Sequence, residues 1–176
     1  MKNLKFRKAH HSDIHALVPL INQAYRTKIA RSWTSEDEII VGARIDAEQL
    51  NQLLKQDQVW LFIAYIDENS VQNLVGCIAL TFQQETVEIG TFCVASAYQN
   101  QGMGRKMLEY AEVQARHICK NLKYYEMFVI DTRFELIEYY ERCGYSKTNV
   151  LEPYPTHANV GQPLIHLQLQ QMRKPL

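Results

Sequence analysis

Apolar positions recur along this chain in two rhythms, one of period two and one close to period four. LKFRK (4–8) reads as a short opening strand. Ser12 or Asp13 then caps a helix over 13–29, with Ile14, Leu17, Val18, Ile21 and Tyr25 on one side. Pro19 should interrupt or kink it. RSWTSEDEIIVGAR (31–44) is mixed, and predicts a helical turn from Ser35 with Glu38 completing a capping box. DAEQLNQLLKQ (46–56) is a clearer helix, with Leu50, Leu53 and Leu54 on one face.

Three strands follow: VWLFIAYI (59–66), LVGCIALTF (74–82) and TVEIGTFCV (86–94). The polar turns DENSVQN (67–73) and QQE (83–85) separate them, so adjacent strands should pair antiparallel. A loop (95–101) leads to a helix over 103–119, whose apolar face is Met107, Leu108, Ala111, Ala115 and Ile118. YYEMFVI (124–130) is strand-like, and RFELIEYYERC (133–143) is a helix stopped by Gly144. YSKTNV (145–150) reads as strand and EPYPTHANVGQP (152–163) as loop. LIHLQLQQM (164–172) alternates like an edge or half-buried strand. The order predicts a single domain over 1–176, α/β or α+β, with helices around a mixed central sheet.

Composition narrows the function classes. With 47% hydrophobic and 22% charged residues, the chain falls in the ordinary globular class. Lys+Arg and Asp+Glu are both 19, so a nucleic-acid partner is not expected. No apolar run reaches the roughly 18 residues of a membrane span, and MKNLKFRKAHHSD lacks the apolar core of a signal peptide. Cys77, Cys93, Cys119 and Cys143 form no CxxC pair and read as buried thiols in a reducing, cytoplasmic setting. The six histidines show no metal-ligand spacing, so no metal is expected.

QNQGMGRK (99–106) carries two glycines at the junction of an apolar strand and an amphipathic helix. Glycines allow positive φ and close approach, and a helix start presents unpaired amides to an anion. Position 107 is Met, so neither the P-loop GxxxxGK[ST] nor the dinucleotide GxGxxG is completed. A bare G-x-G also fits a helix start packed tightly on a strand.

The wider segment FCVASAYQNQGMGRKMLEYAE (92–112) resembles the coenzyme A segment of the GNAT N-acetyltransferase superfamily. Gln99, Gly102 and Gly104 match its Gln/Arg-x-x-Gly-x-Gly/Ala pattern. YYERCGY (139–145) is similar to the family's C-terminal signature at Tyr140, Gly144 and Tyr145. Two positions depart: Ala95 and Ser96 replace a usual proline, and Arg133 stands where Asn is common.

The resemblance implies a GNAT-like, mostly antiparallel sheet and transfer of an acetyl group from acetyl-coenzyme A to a primary amine, by direct attack in a ternary complex. It places the pyrophosphate over the amides of Gln101, Gly102, Met103, Gly104 and Arg105, with Gln99 beside them. The backbone of Cys93 and Val94 would hold the pantetheine or thioester carbonyl, and Arg133 would meet a phosphate or the acceptor. Glu88 is implied as base, with Glu85 the other carboxylate nearby, and Tyr140 as acid. Trp33, Glu36 and Tyr154 would border the acceptor, a small-molecule or peptide amine. A non-catalytic coenzyme A-binding or regulatory domain is the alternative. The last strand could pair across a homodimer or finish the monomer's own sheet.

Overall fold

Strand β1 (Lys5–Lys8) and helix α1 (Ile14–Arg26) open the chain in the expected order. The structure is a computed structural model and describes residues 3–27, 35–68 and 71–176. Pro19 lies inside α1, exposed, and the helix runs through it to Arg26. The segment after α1 makes the expected turn, over residues 37–39, with the Ile39 and Ile40 N–H groups donating to the Glu36 carbonyl (3.0 and 2.9 Å), but without the expected capping box. Ser35 donates its hydroxyl to the Thr27 carbonyl (3.1 Å) and to Asp37 instead of capping a helix. The chain then forms a two-residue strand, β2 (Ile40–Val41), and Glu38 is exposed. Helix α2 (Ala47–Leu54) starts on a reciprocal cap. Asp46 accepts from the Gln49 backbone N–H (2.7 Å), and Gln49 Oε1 accepts from that of Asp46 (2.8 Å).

Strands β3 (Val59–Glu68), β4 (Val71–Gln83) and β5 (Thr86–Val94) form the antiparallel meander. The first two extend into the stretch read as a polar turn. Helix α3 (Met103–Ile118) crosses to β6 (Tyr124–Ile130), which pairs parallel with β5. Then come α4 (Phe134–Arg142), β7 (Ser146–Pro153), the short β8 (Gln162–Pro163) that pairs with β2, and β9 (Gln168–Pro175). The main sheet runs β1-β3-β4-β5-β6-β9-β7.

The last strand begins four residues later than its alternation suggested, and Leu164 and Ile165 are exposed. It is also not an edge. It pairs with β6 on one side and β7 on the other, so it finishes the monomer's own sheet.

Helices cover both sheet faces, which is why β3 and β4 read as continuous apolar runs. Phe62, Ala64 and Ile66 pack toward α3 and α4, and Leu61 and Ile63 toward α1 and α2. One buried carboxylate, Glu112 of α3, accepts from Lys174 Nζ of β9 (2.8 and 2.9 Å) and from the Tyr145 hydroxyl (2.8 Å). Tyr145 is therefore a structural tyrosine. It and the lysine supply the hydrogen bonds a buried charge requires.

Candidate active site

The site exists because two neighbouring strands part. β5 and β6 are in register only from Thr86 opposite Tyr124 to Glu88 opposite Glu126. Beyond Glu88 they separate. A bulge in β5 accompanies the separation. Ala79 of β4 faces Gly90 and Cys77 faces Cys93, so β5 carries one extra residue, with Thr91 at φ +42°. A bulge bends its strand and raises local twist. From α1, the Tyr25 hydroxyl donates to the Phe92 carbonyl (2.9 Å) and fixes the bulge. On the β4 side, Gly76 leaves room for it. A Cβ there would lie 2.3 Å from the Cys93 carbonyl oxygen.

Two cavities open around this gap. The first, about 280 Å³, is lined by Phe92, Cys93 and Val94, by the 99–105 loop and helix start, and by α4. Gly102 caps α3 at φ +75°, with nothing within 4 Å of an added Cβ. It is needed for its backbone conformation and not for tight packing on a strand. Gly104 is different. A Cβ there would make ordinary contacts with Tyr139 Oη (3.6 Å) and Val94 (3.7 Å), at the cavity wall. The first N–H of α3 with a partner in its own chain turn is that of Lys106, bonded to the Gly102 carbonyl (3.2 Å). Earlier amides of the turn project past the helix end, where the helix dipole favours an anion.

The predicted donor-side residues take unequal parts. Gln99 lines the cavity, but its amide donates to the Val94 carbonyl (2.8 Å) and pins the loop to the strand end. Gln101 is exposed, outside the lining, and bonds the Ala97 carbonyl (2.9 Å). Met103 is buried and lines the cavity. Arg105 borders the cavity and pairs with Glu109 (2.9 Å). Arg142, which sequence reasoning missed, also borders it.

The second cavity, about 320 Å³, lies across the gap and takes in Glu88, Tyr25, Glu36, Arg44, Glu152 and Tyr154. It shares Phe92, Leu136 and Tyr140 with the first, so the two meet at Tyr140. Tyr139 lines only the first. Burial raises the pKa of Tyr140 well above the usual phenol value, with Tyr139 and Cys143 adding to it, so the hydroxyl keeps its proton at neutral pH. Burial also raises the Glu88 carboxyl, with the neighbouring charges of Glu126 and Glu152 pushing the same way. Glu85 lies outside the cavity and pairs with Lys123 (2.8 Å).

Arg133 lines the second cavity and not the first. It donates to the Ser35 carbonyl (2.6 Å) and to Glu135 (2.5 Å), joining the start of α4 to the segment after α1. Glu36 is partly buried and paired with Arg26, which also donates to the carbonyls of Gly42 (3.0 Å) and Val160 (2.6 Å). The Glu36 charge is thus already balanced. Tyr154 uses its hydroxyl on the Val160 carbonyl (2.9 Å), which shapes the late loop as a wall. Trp33 lies outside the described residues. Among the described residues no group of His, Cys, Asp and Glu could hold a metal ion. No described helix is long and apolar enough to cross a membrane.

Comparison with known proteins adds to this geometry. The Acetyltransferase (GNAT) family matches residues 20–145. The chain superposes on the ribosomal-protein-S18-alanine N-acetyltransferase from Escherichia coli with a TM-score of 0.70 at 14% identity, over 98% of this chain and 94% of that one. A GNAT family acetyltransferase from Elizabethkingia anophelis, with acetyl-CoA bound, gives 0.67 at 19% identity over 100% of both chains. The spermidine/spermine N-acetyltransferase from Vibrio cholerae, in complex with manganese ions, gives 0.65 at 15% identity over 98% of this chain and 92% of that one. At such identities the likeness is one of fold. Among curated protein sequences there is no match.

Proposed function

The chain belongs to the acetyltransferase (GNAT) family, and from that premise we propose that it transfers the acetyl group of acetyl-CoA directly to a primary amine within a ternary complex. The observation that carries this reading is the meeting of two cavities at Tyr140, with Glu88 at the point where β5 and β6 part. A donor enters one cavity, an acceptor the other, and the reacting groups meet between them.

The donor cavity fits coenzyme A. The unpaired amides at the start of α3 and the open space over Gly102 would receive the pyrophosphate. Arg105 and Arg142 add positive charge at the border. The backbone of Cys93 and Val94, in the splayed part of β5, would hold the pantetheine and polarise the carbonyl. Bound acetyl-CoA supplies an acetyl thioester, and transfer exchanges its C–S bond for a C–N bond to the amine.

Glu88 takes a proton from the arriving ammonium, directly or through a water, so the nitrogen can attack. The raised pKa of its carboxyl brings it nearer the working pH of a base. Tyr140 gives its hydroxyl proton to the leaving sulfur, the nitrogen releases its second proton to solvent as the amide forms, and solvent reprotonates Tyr140. The bulge fixed by Tyr25 holds the two sides in register for that exchange.

Titration calorimetry with acetyl-CoA and a thiol-release assay over an amine panel test the proposal. Saturable acetyl-CoA binding and an N-acetylated product seen by mass spectrometry are expected. Folded protein that binds no acetyl-CoA would overturn it. Tight binding with no transfer to any amine would instead favour a coenzyme A-binding regulatory domain.

A further inference from the structure

The proposed chemistry gives Glu88 and Tyr140 their tasks, but it leaves Arg44 without one. Arg44 sits between β2 and α2, outside regular structure, and lines the acceptor cavity. Its backbone is clamped. The Arg44 N–H donates to Asn22 Oδ1 (2.7 Å), and Asn22 Nδ2 donates to the Ile45 carbonyl (2.8 Å). Its guanidinium carbon stands 5.4 Å from the centroid of the Tyr25 ring.

No carboxylate among the described residues forms an ion pair with Arg44. Two other guanidinium groups near this cavity are differently placed. Arg26 is paired with Glu36, and Arg133 is engaged with Ser35 and Glu135. A half-buried guanidinium loses solvation that an aromatic face restores only in part. Fixing its backbone while leaving its donors open suits recognition of a planar anion such as a carboxylate.

We infer that the acceptor is a small zwitterionic amine, an amino acid or a close analogue, whose carboxylate is bound by Arg44 while its amine faces Glu88. The inference rests on the transferase reading and adds the substrate class. The Tyr25 ring beneath Arg44 carries the hydroxyl that holds Phe92, a residue of both cavities. Arg44 and the bulge are therefore bridged by one tyrosine side chain, and both border the acceptor cavity. A cavity of about 320 Å³ suits a molecule of amino-acid size.

The test compares matched acceptors: phenylalanine against phenethylamine, and methionine against the amine left when its carboxylate is removed. With intact protein and saturating acetyl-CoA, kcat/KM should be at least roughly tenfold higher for the carboxylated member of a pair. Arg44→Gln should collapse that ratio toward one, and Arg44→Lys, which keeps the charge, should restore part of it. Circular dichroism and acetyl-CoA affinity establish that both variants are folded and loaded. Equal or better turnover of plain amines, no turnover of any carboxylated amine, or a ratio unmoved in Arg44→Gln would overturn the inference. If acetyl-CoA binds and plain amines are acetylated, the transferase reading survives that failure. Absence of acetyl-CoA binding removes both.

Discussion

Tyr25 and Phe92 are 67 residues apart in sequence and joined by one hydrogen bond of 2.9 Å, from a helix on one sheet face to the bulged strand. Neither residue carries out chemistry. Together they set where β5 turns away from β6. Tyr25→Phe leaves the Phe92 carbonyl without this donor, at an expected cost of about 1–2 kcal/mol. Urea denaturation measures that cost. Turnover should fall more than acetyl-CoA affinity does, because the bulge positions the reacting carbonyl and not the pyrophosphate.

Tyr140→Phe removes a hydroxyl where the two cavities meet. Turnover should drop about 10²-fold or more, the usual scale for a general acid. Acetyl-CoA affinity should stay within about threefold, because the ring and its packing remain. With its pKa raised by burial, Tyr140 stays protonated across the neutral range, so the wild-type rate should show no loss from its titration below about pH 9. A rate profile from about pH 6 to 9 checks this.

Glu88 acts as a base only when ionised, so kcat/KM should fall as pH drops through its raised pKa. Glu152→Gln removes a like charge that helps raise it. The acid limb of the rate profile should then move to lower pH. The stability sign is opposite to that of a salt-bridged carboxylate. A carboxyl raised in the fold stabilises most below its unfolded pKa, and that contribution is lost as pH rises through the folded value. Glu88→Gln should therefore raise the thermal midpoint at neutral pH while lowering turnover about 10²-fold. A fall in both would count against the assignment.

The two glycines of the cradle should respond differently to alanine. At Gly102, φ is +75°, so Gly102→Ala should cost about 1 kcal/mol in the free protein. At Gly104 an added methyl meets only ordinary contacts, inside the first turn of a helix. Gly104→Ala should leave stability unchanged or raise it by up to about 1 kcal/mol, and leave acetyl-CoA affinity within about threefold, because the added methyl makes only ordinary contacts and the matched pattern takes Gly or Ala there. Thermal melts with and without acetyl-CoA separate the effects.

The local parts of this fold were legible because they repeat. The alternation of β5 and β6 and the period of α3 located those elements to within a residue. Tyr140 was placed by a spacing that the helix obeys. Contacts that depend on remote partners left no such trace. The pairing of Arg26 with Glu36, a residue expected to border the acceptor, depends on how the chain turns back after α1. Arg44 carried no motif, and its meaning comes from Asn22 and Tyr25, both on α1. The last strand was misplaced because LIHLQLQQM alternates through Leu164 and Ile165, whereas the ladder with β6 and β7 begins only at Gln168.

Among the described residues, strand pairing between the β1-β3-β4-β5 half of the sheet and the β6-β9-β7 half is confined to three positions, Thr86 to Glu88 against Tyr124 to Glu126. Mechanically this is a book with a short spine. The facing backbone edges above the spine lack each other as partners, so any amide-bearing chain slid between them works as a splint. Amide hydrogen exchange should thus slow along 89–94 and 127–130 on acetyl-CoA binding, ahead of any change at the outer strands.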